Sequence, residues 1–372
     1  MSMSKIVWIT EDSFVDCDWV PISQVSMCNA IEWVVLFHAS RTRYKEEEFN
    51  DYLLKHQNLR IHFFHMKYSA KDIRNIVDFL KLGHMVKKIR GDVYYVNSSP
   101  SLPWFFAFWG QLPSKKRVIT AHQGAVHLGM SHKWLISISR KLVYGHAQNV
   151  NMFSTSQAEL FSSSFPKSNV TIIDLALKDY GQPSIKKASG KDDCVNFLAF
   201  GILNFAKNID LLIDAACNLY EKGIRGFKVL IYGNCNNWEY YEKHIRYPEI
   251  FEIKIGFVPN EDIPNLFSRA HYLVQPYRVV SQSGAMKVAF QYNTPVIVSN
   301  LPGLTDELEE RVNGFLFEVS NVRSLEDVLK ERIINLTKEY DSLCFKMNEY
   351  TKQRYSEKRI GEKYINMFNK IS

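Results

Sequence analysis

The chain has 372 residues, of which 46% are hydrophobic and 23% are charged, the composition of a folded protein with room for two domains. Its six cysteines are scattered without Cys-x-x-Cys spacing, which argues against a disulfide framework and against a zinc site. Residues 51–150 hold fifteen Lys and Arg against four Asp and Glu, within an overall net charge of +7. Because no nucleic-acid-binding motif accompanies this basic region, we expect its partner to be an anionic membrane surface or a phosphorylated acceptor, and not nucleic acid.

Apolar runs of strand length alternate with helical patterns through the first half, which is typical of parallel sheets covered by helices. Strands are predicted at residues 6–10, 33–37, 61–64, 93–97, 117–121, 150–153 and 170–173, and helices at 71–86 and 133–143. No G-x-G-x-x-G follows the first strand, so a nicotinamide dinucleotide domain is not expected.

Two segments of the basic region allow two interpretations. The tract 84–90 is basic, and the run 104–109 is rich in Trp and Phe. Together they would suit docking at a membrane interface. Alternatively, they form a solvated basic surface around a buried aromatic helix.

A polar passage rich in Gly, Pro and Lys then interrupts the alternation, and we interpret residues 181–193 as an interdomain linker. Further strands are predicted at residues 195–200, 229–232, 253–255, 272–275, 296–299 and 315–317, and a helix with one apolar stripe at 356–371. The sequence therefore predicts an α/β protein with Rossmann-like domains at 1–180 and 194–354 and a terminal helix at 355–372.

The segment 272–299 is the most informative part of the chain, because it predicts a strand, a loop, a helix and a second strand. Ser283 can cap the helix, and Gly284 allows a ligand to approach the backbone closely. A helix start presents unpaired N–H groups and the positive end of the helix dipole, so this loop suits a phosphate group. An ordinary capped helix start is the alternative interpretation.

A series of motifs follows in a fixed order: Pro276-Tyr277-Arg278, Ser281-Gln282-Ser283-Gly284, Pro295 to Ser299, Gly303 and Asn313-Gly314-Phe315. This series resembles the donor-binding core of the family-4 retaining glycosyltransferases, the glycosyl transferases group 1. The resemblance implies the GT-B fold, in which two Rossmann-like domains face a central cleft and a C-terminal helix crosses back to the first domain. The first domain would bind the acceptor, and the second would bind the donor.

By this resemblance, Gln282, Ser283 and Gly284 would bind the diphosphate of the donor together with Lys207, which follows Phe200-Gly201 at the family's spacing. Ile202 stands where the family has a partner arginine, so Arg278 is our candidate for the second cation. Arginine suits a diphosphate because its guanidinium binds two oxygens at once.

The first half also contains residues that match the family. His122 and His127 lie in a segment similar to the family's H-D-P-x-x-H-x-G, with Gln123 and Gly124 in place of Asp and Pro. The resemblance implies that His122, with Lys207 and Arg278, acts at the reacting centre, and that His127 lies on the acceptor side. Asp16 is a further acceptor-side candidate, although an acidic cluster at a helix start is the competing interpretation.

Nucleotide recognition departs from the common pattern, because Val280 and Val288 stand where many members have a glutamate pair. The second of those glutamates often binds ribose, so the ribose-binding residue is not assigned. Gly233, Asn234, Phe257 and Val258 are candidates for contacts to the base and ribose. No D-x-D motif lies in a strand-end loop, so neither a bound metal nor a cofactor is expected.

The resemblance implies a retaining, metal-independent transferase that moves a sugar from a nucleoside diphosphate to a glycan or a lipid-linked oligosaccharide. The setting would be bacterial surface polysaccharide biosynthesis, with the protein cytoplasmic and peripheral at the inner face of the plasma membrane. Two alternatives stay open: a sugar-nucleotide epimerase of the same fold, and a catalytically silent binding or assembly subunit.

Overall fold

A computed structural model describes residues 4–39, 44–69, 72–100, 102–125 and 133–371 of the chain. The chain forms two compact units. Unit 1 comprises the residues up to Ala176 and those from Tyr355 onward, and unit 2 runs from Leu177 to Arg354. Among the helices in the described ranges, none combines the length and the apolar character that a membrane crossing needs.

Unit 1 is built on a seven-stranded parallel sheet with the strand order β3-β2-β1-β4-β5-β6-β7. The strands are β1 Lys5–Glu11, β2 Ala30–Phe37, β3 Leu59–His65, β4 Val93–Asn97, β5 Arg117–Thr120, β6 Asn149–Met152 and β7 Asn169–Ile172. The helices are α1 Val15–Ser26, α2 Asn50–Leu54, α3 Asn75–Ile89, α4 Phe106–Trp109, α5 Lys133–Tyr144 and α6 Thr155–Ser164. Because helices cover both faces, β1 is apolar from Ile6 to Ile9: Val7 and Ile9 pack on one face, and Ile6 and Trp8 on the other.

Unit 2 repeats this plan with six parallel strands in the order β10-β9-β8-β11-β12-β13. The strands are β8 Val195–Phe200, β9 Phe227–Gly233, β10 Phe251–Ile255, β11 Tyr272–Gln275, β12 Val296–Ser299 and β13 Gly314–Phe317. The helices are α7 Ile209–Glu221, α8 Trp238–Glu242, α9 Ile263–Arg269, α10 Gly284–Gln291, α11 Pro302–Thr305, α12 Val322–Ile334 and α13 Leu336–Tyr355. The predicted pair of Rossmann-like sheets is therefore confirmed.

The last helix, α14 Glu357–Asn369, belongs to unit 1 and packs on α1. A Cβ atom on Gly361 would lie 2.4 Å from the Cβ of Gln24, so this glycine allows the two helices to approach closely. The apolar stripe of α14 reaches the core, where the rings of Tyr364 and Trp8 lie 5.3 Å apart. The chain thus returns to its first unit, as predicted.

Residues 181–193, which the sequence predicts as a linker, lie within unit 2. The Lys187 ammonium donates to the backbone oxygens of Phe267 and Ala270 at 3.0 and 3.1 Å and to the Thr294 hydroxyl at 2.8 Å. Because these contacts fix the segment to α9 and its neighbours, its polar composition reflects a surface strap.

For the aromatic run 104–109, the structure favours the second interpretation, in which a basic surface surrounds a buried aromatic helix. Phe105, Phe108 and Trp109 are buried, and the guanidinium of the equally buried Arg117 lies 4.2 Å from the Trp109 ring. These rings therefore form core. The neighbouring helix α3 does expose apolar residues, since its outer face carries Ile76, Val77 and Leu80.

Candidate functional site

In unit 2, three strands end on glycines that expose the backbone at the carboxyl edge of the sheet. Gly201, Gly233 and Gly256 follow or end β8, β9 and β10 with φ angles of 112°, 148° and 141°. A Cβ atom on Gly233 would lie 1.8 Å from the carbonyl oxygen of Gly201, so no side chain fits there. Ligands of open α/β sheets bind at this edge, and here the main chain forms its surface.

The predicted loop before α10 has the geometry of a capped helix start. The Ser283 hydroxyl accepts a hydrogen bond from the Met286 N–H at 3.3 Å, and it accepts a second from the Gln275 amide at 2.5 Å. Gly284 is the first residue of α10. The cap orders this helix start, where the first N–H groups have no partner within the helix and attract anions.

Lys207 lies at the end of a short 3₁₀ turn after β8, and its side chain is half-buried. Its ammonium lies 3.6 Å from the centre of the Tyr277 ring, a cation–π contact. The Gln275 amide donates to the Tyr277 hydroxyl at 2.9 Å and also to Ser283. One chain of contacts therefore joins Lys207 to the start of α10, as the sequence predicts for residues of one site.

Arg278 is held by partners within unit 2. Its guanidinium donates to the Asp210 carboxylate at 2.7 Å and to the Phe205 backbone oxygen at 2.8 Å, and it lies 4.3 Å from the Phe205 ring. These contacts attach Arg278 to the turn that carries Lys207, and Asp210 offsets part of its charge. Arg278 therefore has fewer donors for a diphosphate than the sequence pattern indicates.

The structure adds one cation that sequence reasoning missed. The Lys178 ammonium lies 3.3 Å from the position that a Cβ atom on Gly284 would occupy. No local pattern marks this lysine, since it precedes the polar strap and is far from Gly284 in sequence. Its proximity to Gly284 depends on the path of the chain just before the strap, where the Tyr180 N–H donates to the hydroxyl of Tyr292, the residue after α10, at 2.8 Å.

The nucleotide candidates lie along the same edge of unit 2. Gly233 ends β9, and the backbone oxygen of Asn234 accepts from the Leu203 N–H at 2.8 Å. Phe257 is 78% exposed, whereas Val258 is buried. An exposed aromatic ring at a strand end can stack on a nucleobase. Gln282, in the loop before α10, is half-buried.

In unit 1, the carboxyl edge of the sheet carries His122 directly after β5. Its Nε2 atom lies 2.8 Å from the Asn97 side-chain oxygen, and its ring stacks on Phe14 at 3.9 Å. Asp16 is buried and accepts from the Cys17 thiol at 3.4 Å. The predicted acceptor-side residue His127 lies outside the described residues.

A cavity of about 70 Å³ opens at the same edge of unit 1, lined by residues at the ends of β1 and β2, by residues that follow β4, and by Asn75 and Phe79 of α3. Its polar side holds Glu11 and His38, whose Oε1 and Nε2 atoms lie 2.8 Å apart, and the Ser98 hydroxyl donates to Glu11 at 2.9 Å. The hydrogen bond to the Glu11 carboxylate raises the pKa of His38. Burial acts to raise the pKa of Glu11, but His38, Ser99 and Ser98 lower it overall. Trp104 lines the apolar side.

Among the described residues, no group of three or more His, Cys, Asp and Glu side chains is placed to hold a metal ion. The polar groups that gather at the two edges are ammonium groups and backbone amides in unit 2, and carboxylates, amides and imidazoles in unit 1.

Comparison with known proteins finds a family match within the second unit. Residues 182–354 match the family model described as Glycosyl transferases group 1. The glycogen synthase of Thermodesulfovibrio yellowstonii is 27% identical over 187 residues, which are 49% of this chain and 36% of that protein. The chain thus spans about a third of the length of the curated relatives that it matches.

Solved structures share the fold over nearly the whole chain. The Anabaena protein HepE in complex with UDP has a TM-score of 0.71 at 13% identity, covering 99% of this chain and 100% of that one. The lipopolysaccharide outer core galactosyltransferase WaaB in its apo form has a TM-score of 0.63 at 14% identity, covering 98% and 99%. The chain has the GT-B fold, and its residues 182–354 match the model of the glycosyl transferases group 1.

Proposed function

We propose that this protein is a retaining, metal-independent glycosyltransferase that moves a sugar from a nucleoside diphosphate to a glycan or lipid-linked oligosaccharide acceptor. The observation that carries the proposal is the carboxyl edge of unit 2, where the capped start of α10 lies beside Lys178 and a contact chain leads to Lys207. Backbone N–H groups and ammonium groups together suit a diphosphate.

The chemistry follows from charge development on the leaving group. As the bond from the sugar to the phosphate breaks, negative charge grows on the diphosphate, and fixed N–H groups at the start of α10 stabilise it together with Lys207. Arg278 supports this site by holding the turn that carries Lys207, since its guanidinium donates to the Phe205 backbone oxygen. The departing phosphate accepts the proton of the acceptor hydroxyl, so His122 is assigned a positioning role and is not required as a base.

We assign the acceptor to the carboxyl edge of unit 1. Its cavity combines a carboxylate–imidazole pair, Glu11 and His38, with the ring of Trp104. Saccharides present hydroxyl groups that both donate and accept hydrogen bonds, and they present an apolar ring face that packs on aromatic side chains. The lining of this cavity offers partners for both features.

We further propose that α3 places unit 1 on an anionic membrane at the inner face of the plasma membrane, where a precursor of a bacterial surface polysaccharide would be extended. The outer face of α3 exposes Ile76, Val77 and Leu80, and the same helix exposes Lys87 and Lys88 near its end. The exposed positions of α3 include no acid. Apolar residues flanked by lysines suit the boundary of an anionic bilayer.

A panel of UDP and GDP sugars tests the activity. A sugar nucleotide that raises the melting temperature is incubated with glycan and lipid-linked acceptors, and free nucleoside diphosphate is measured. Release of nucleoside diphosphate with a new glycosidic bond of retained configuration supports the proposal. Conversion of the sugar nucleotide without release identifies an epimerase, and binding without turnover identifies a silent subunit.

Vesicle partition tests the membrane face. The double variant Lys87→Gln/Lys88→Gln should bind vesicles containing anionic lipid roughly thirtyfold more weakly, since each lysine near such a surface contributes about 1 kcal/mol. Lys358→Gln/Lys370→Gln removes the same charge from an exposed position of α14 and from the exposed residue that follows it, and should leave partition unchanged. Equal loss of vesicle binding in both double variants, or no loss in either, contradicts docking through α3.

A further inference from the structure

Unit 1 contains a fully buried carboxyl group that the proposed chemistry does not use. Asp18, on α1, has no exposed surface. One of its oxygens accepts from the Thr10 hydroxyl at 2.6 Å, and the other accepts from the Asn97 amide nitrogen at 2.9 Å. Among the described residues, no lysine, arginine or histidine pairs with it. A buried acid without a counterion is costly and is a candidate for a functional role.

Hydrogen bonds connect this acid to His122. The Asn97 amide donates to Asp18 through its nitrogen and accepts from His122 through its oxygen, at 2.9 and 2.8 Å. At the far end, the Trp33 indole N–H donates to the Thr10 oxygen at 2.8 Å, so the Thr10 hydroxyl hydrogen is directed to Asp18. The direction of each hydrogen bond in this chain, from Trp33 at one end to His122 at the other, is thereby specified.

This chain has a consequence for the imidazole of His122. An ionised carboxylate can only accept, so Asn97 must present its NH₂ group to Asp18 and its oxygen to His122. The Nε2 atom of His122 must then carry a hydrogen, and in the neutral ring the lone pair lies on Nδ1. We propose that Asp18, acting through the side-chain amide of Asn97, sets which ring nitrogen of His122 carries the proton.

The surroundings of Asp18 favour a change of charge near neutral pH. Burial raises the pKa of Asp18 to about 7, against hydrogen bonds that lower it. The titratable groups that face it are Asp16 on the same helix, Tyr52 on α2, Tyr95 on β4 and Tyr364 on α14. Burial raises the pKa of each tyrosine, so all three stay neutral, and the charge of Asp16 further raises the pKa of Asp18.

Asp18 is thus a positioning residue for His122, and its role in catalysis rests on the proposed function. The proposed tautomer of His122 does not rest on that function, because it can be measured without substrate. Nitrogen NMR of protein labelled with ¹⁵N-histidine reports the tautomer, and His122→Gln assigns the signal. At pH 8, where an ordinary imidazole is neutral, the unaltered protein should show His122 with its hydrogen on Nε2.

The Asp18→Asn variant should reverse the tautomer. Its amide oxygen accepts from Thr10, so its NH₂ group faces Asn97, which turns its own oxygen to that group and its NH₂ group to His122. Nε2 must then accept, and the form with hydrogen on Nδ1 becomes the major one. Asp78→Asn is a matched control, since Asp78 is also a buried carboxyl of unit 1 but bonds to the Lys67 backbone N–H, and it should leave the tautomer unchanged.

If Asp18→Asn does not fold, Thr10→Val provides a second route. It removes the hydroxyl that donates to the Asp18 carboxylate, so the midpoint of the Asp18 carboxyl titration, followed by ¹³C NMR, should rise. The fraction of His122 with hydrogen on Nε2 at pH 8 should fall with it. A His122 tautomer that stays unchanged in either folded variant overturns the proposal, whereas absence of turnover in the unaltered protein counts against the proposed function alone.

Discussion

The two sheets have the same topology at their carboxyl edges but present different chemistry there. In unit 2 the edge consists of backbone, with Gly201, Gly233 and the start of α10, and cations lie beside it. In unit 1 the edge consists of side chains, with Glu11 and His38 lining a cavity and His122 bonded to Asn97. Backbone amides and ammonium groups select anions, whereas paired acids and imidazoles select hydroxyl groups. The fold supplies the position, and the residues that end each strand determine the ligand.

The largest effect should come from Lys207→Ala. This change removes the ammonium that would stabilise charge on the leaving diphosphate, and we expect turnover to fall about 100- to 1000-fold, the loss typical of one electrostatic group at a reacting centre. The Lys207 side chain is only half-buried, and its contact with the Tyr277 ring is made by the ammonium group alone. Its removal should therefore leave the fold intact. Release of nucleoside diphosphate measures turnover, and circular dichroism checks the fold.

Lys330→Ala is the control for Lys207, since Lys330 is an exposed lysine on α12 of the same unit. Its turnover should match the unaltered protein. If Lys207→Ala keeps full activity, the anion-binding character of the unit 2 edge does not depend on this cation, and the contrast between the edges fails at its main point.

The edge of unit 1 should respond to pH through Asp18. Because the pKa of Asp18 rises from 3.8 to about 7 on folding, its contribution to stability is fully present below about pH 4 and is lost as the pH rises to about 7. The Asp18→Asn variant should lack this loss, of which about 3 kcal/mol falls between pH 5 and pH 8, from roughly 2 units at about 1.4 kcal/mol each. Urea unfolding at pH 5 and pH 8 measures it. Parallel pH dependence in both proteins would show that the carboxyl is not buried as described.

The sequence predicts the sheets well because each central strand is buried on both faces and reads as a continuous apolar run. It predicts the cap at Ser283 because capping is local, set by residues within one turn. It does not predict the pairing of Arg278 with Asp210, or the proximity of Lys178 to Gly284. These contacts join distant segments, so they depend on strand order and on the path of the strap, which no local pattern encodes.

Lys178→Ala tests the cation that only the structure reveals. If the Lys178 ammonium contacts the diphosphate beside Gly284, its loss should weaken nucleoside diphosphate binding about tenfold, as for one charged hydrogen bond. Isothermal titration calorimetry with UDP and GDP measures the dissociation constant. Lys186→Ala changes an exposed lysine of the strap that follows Lys178, so it is the matched control and should bind as before. Equal weakening in both variants would indicate a general charge effect and not a contact.

The smallest effect should come from Ser283→Ala, and it separates a backbone site from a side-chain site. Loss of the cap should reduce the free energy of unfolding by about 1 kcal/mol. Ser283→Thr keeps the hydroxyl and should lose less. If the main chain at the start of α10 binds the diphosphate, the dissociation constant in Ser283→Ala should change only a few-fold, because the N–H groups remain even when the helix start is less ordered. A much larger loss of nucleotide binding, restored by Ser283→Thr, would mean that the hydroxyl itself binds the ligand. Unit 2 would then recognise its ligand through side chains, as we propose for unit 1, and the difference between the two edges would lie in charge alone.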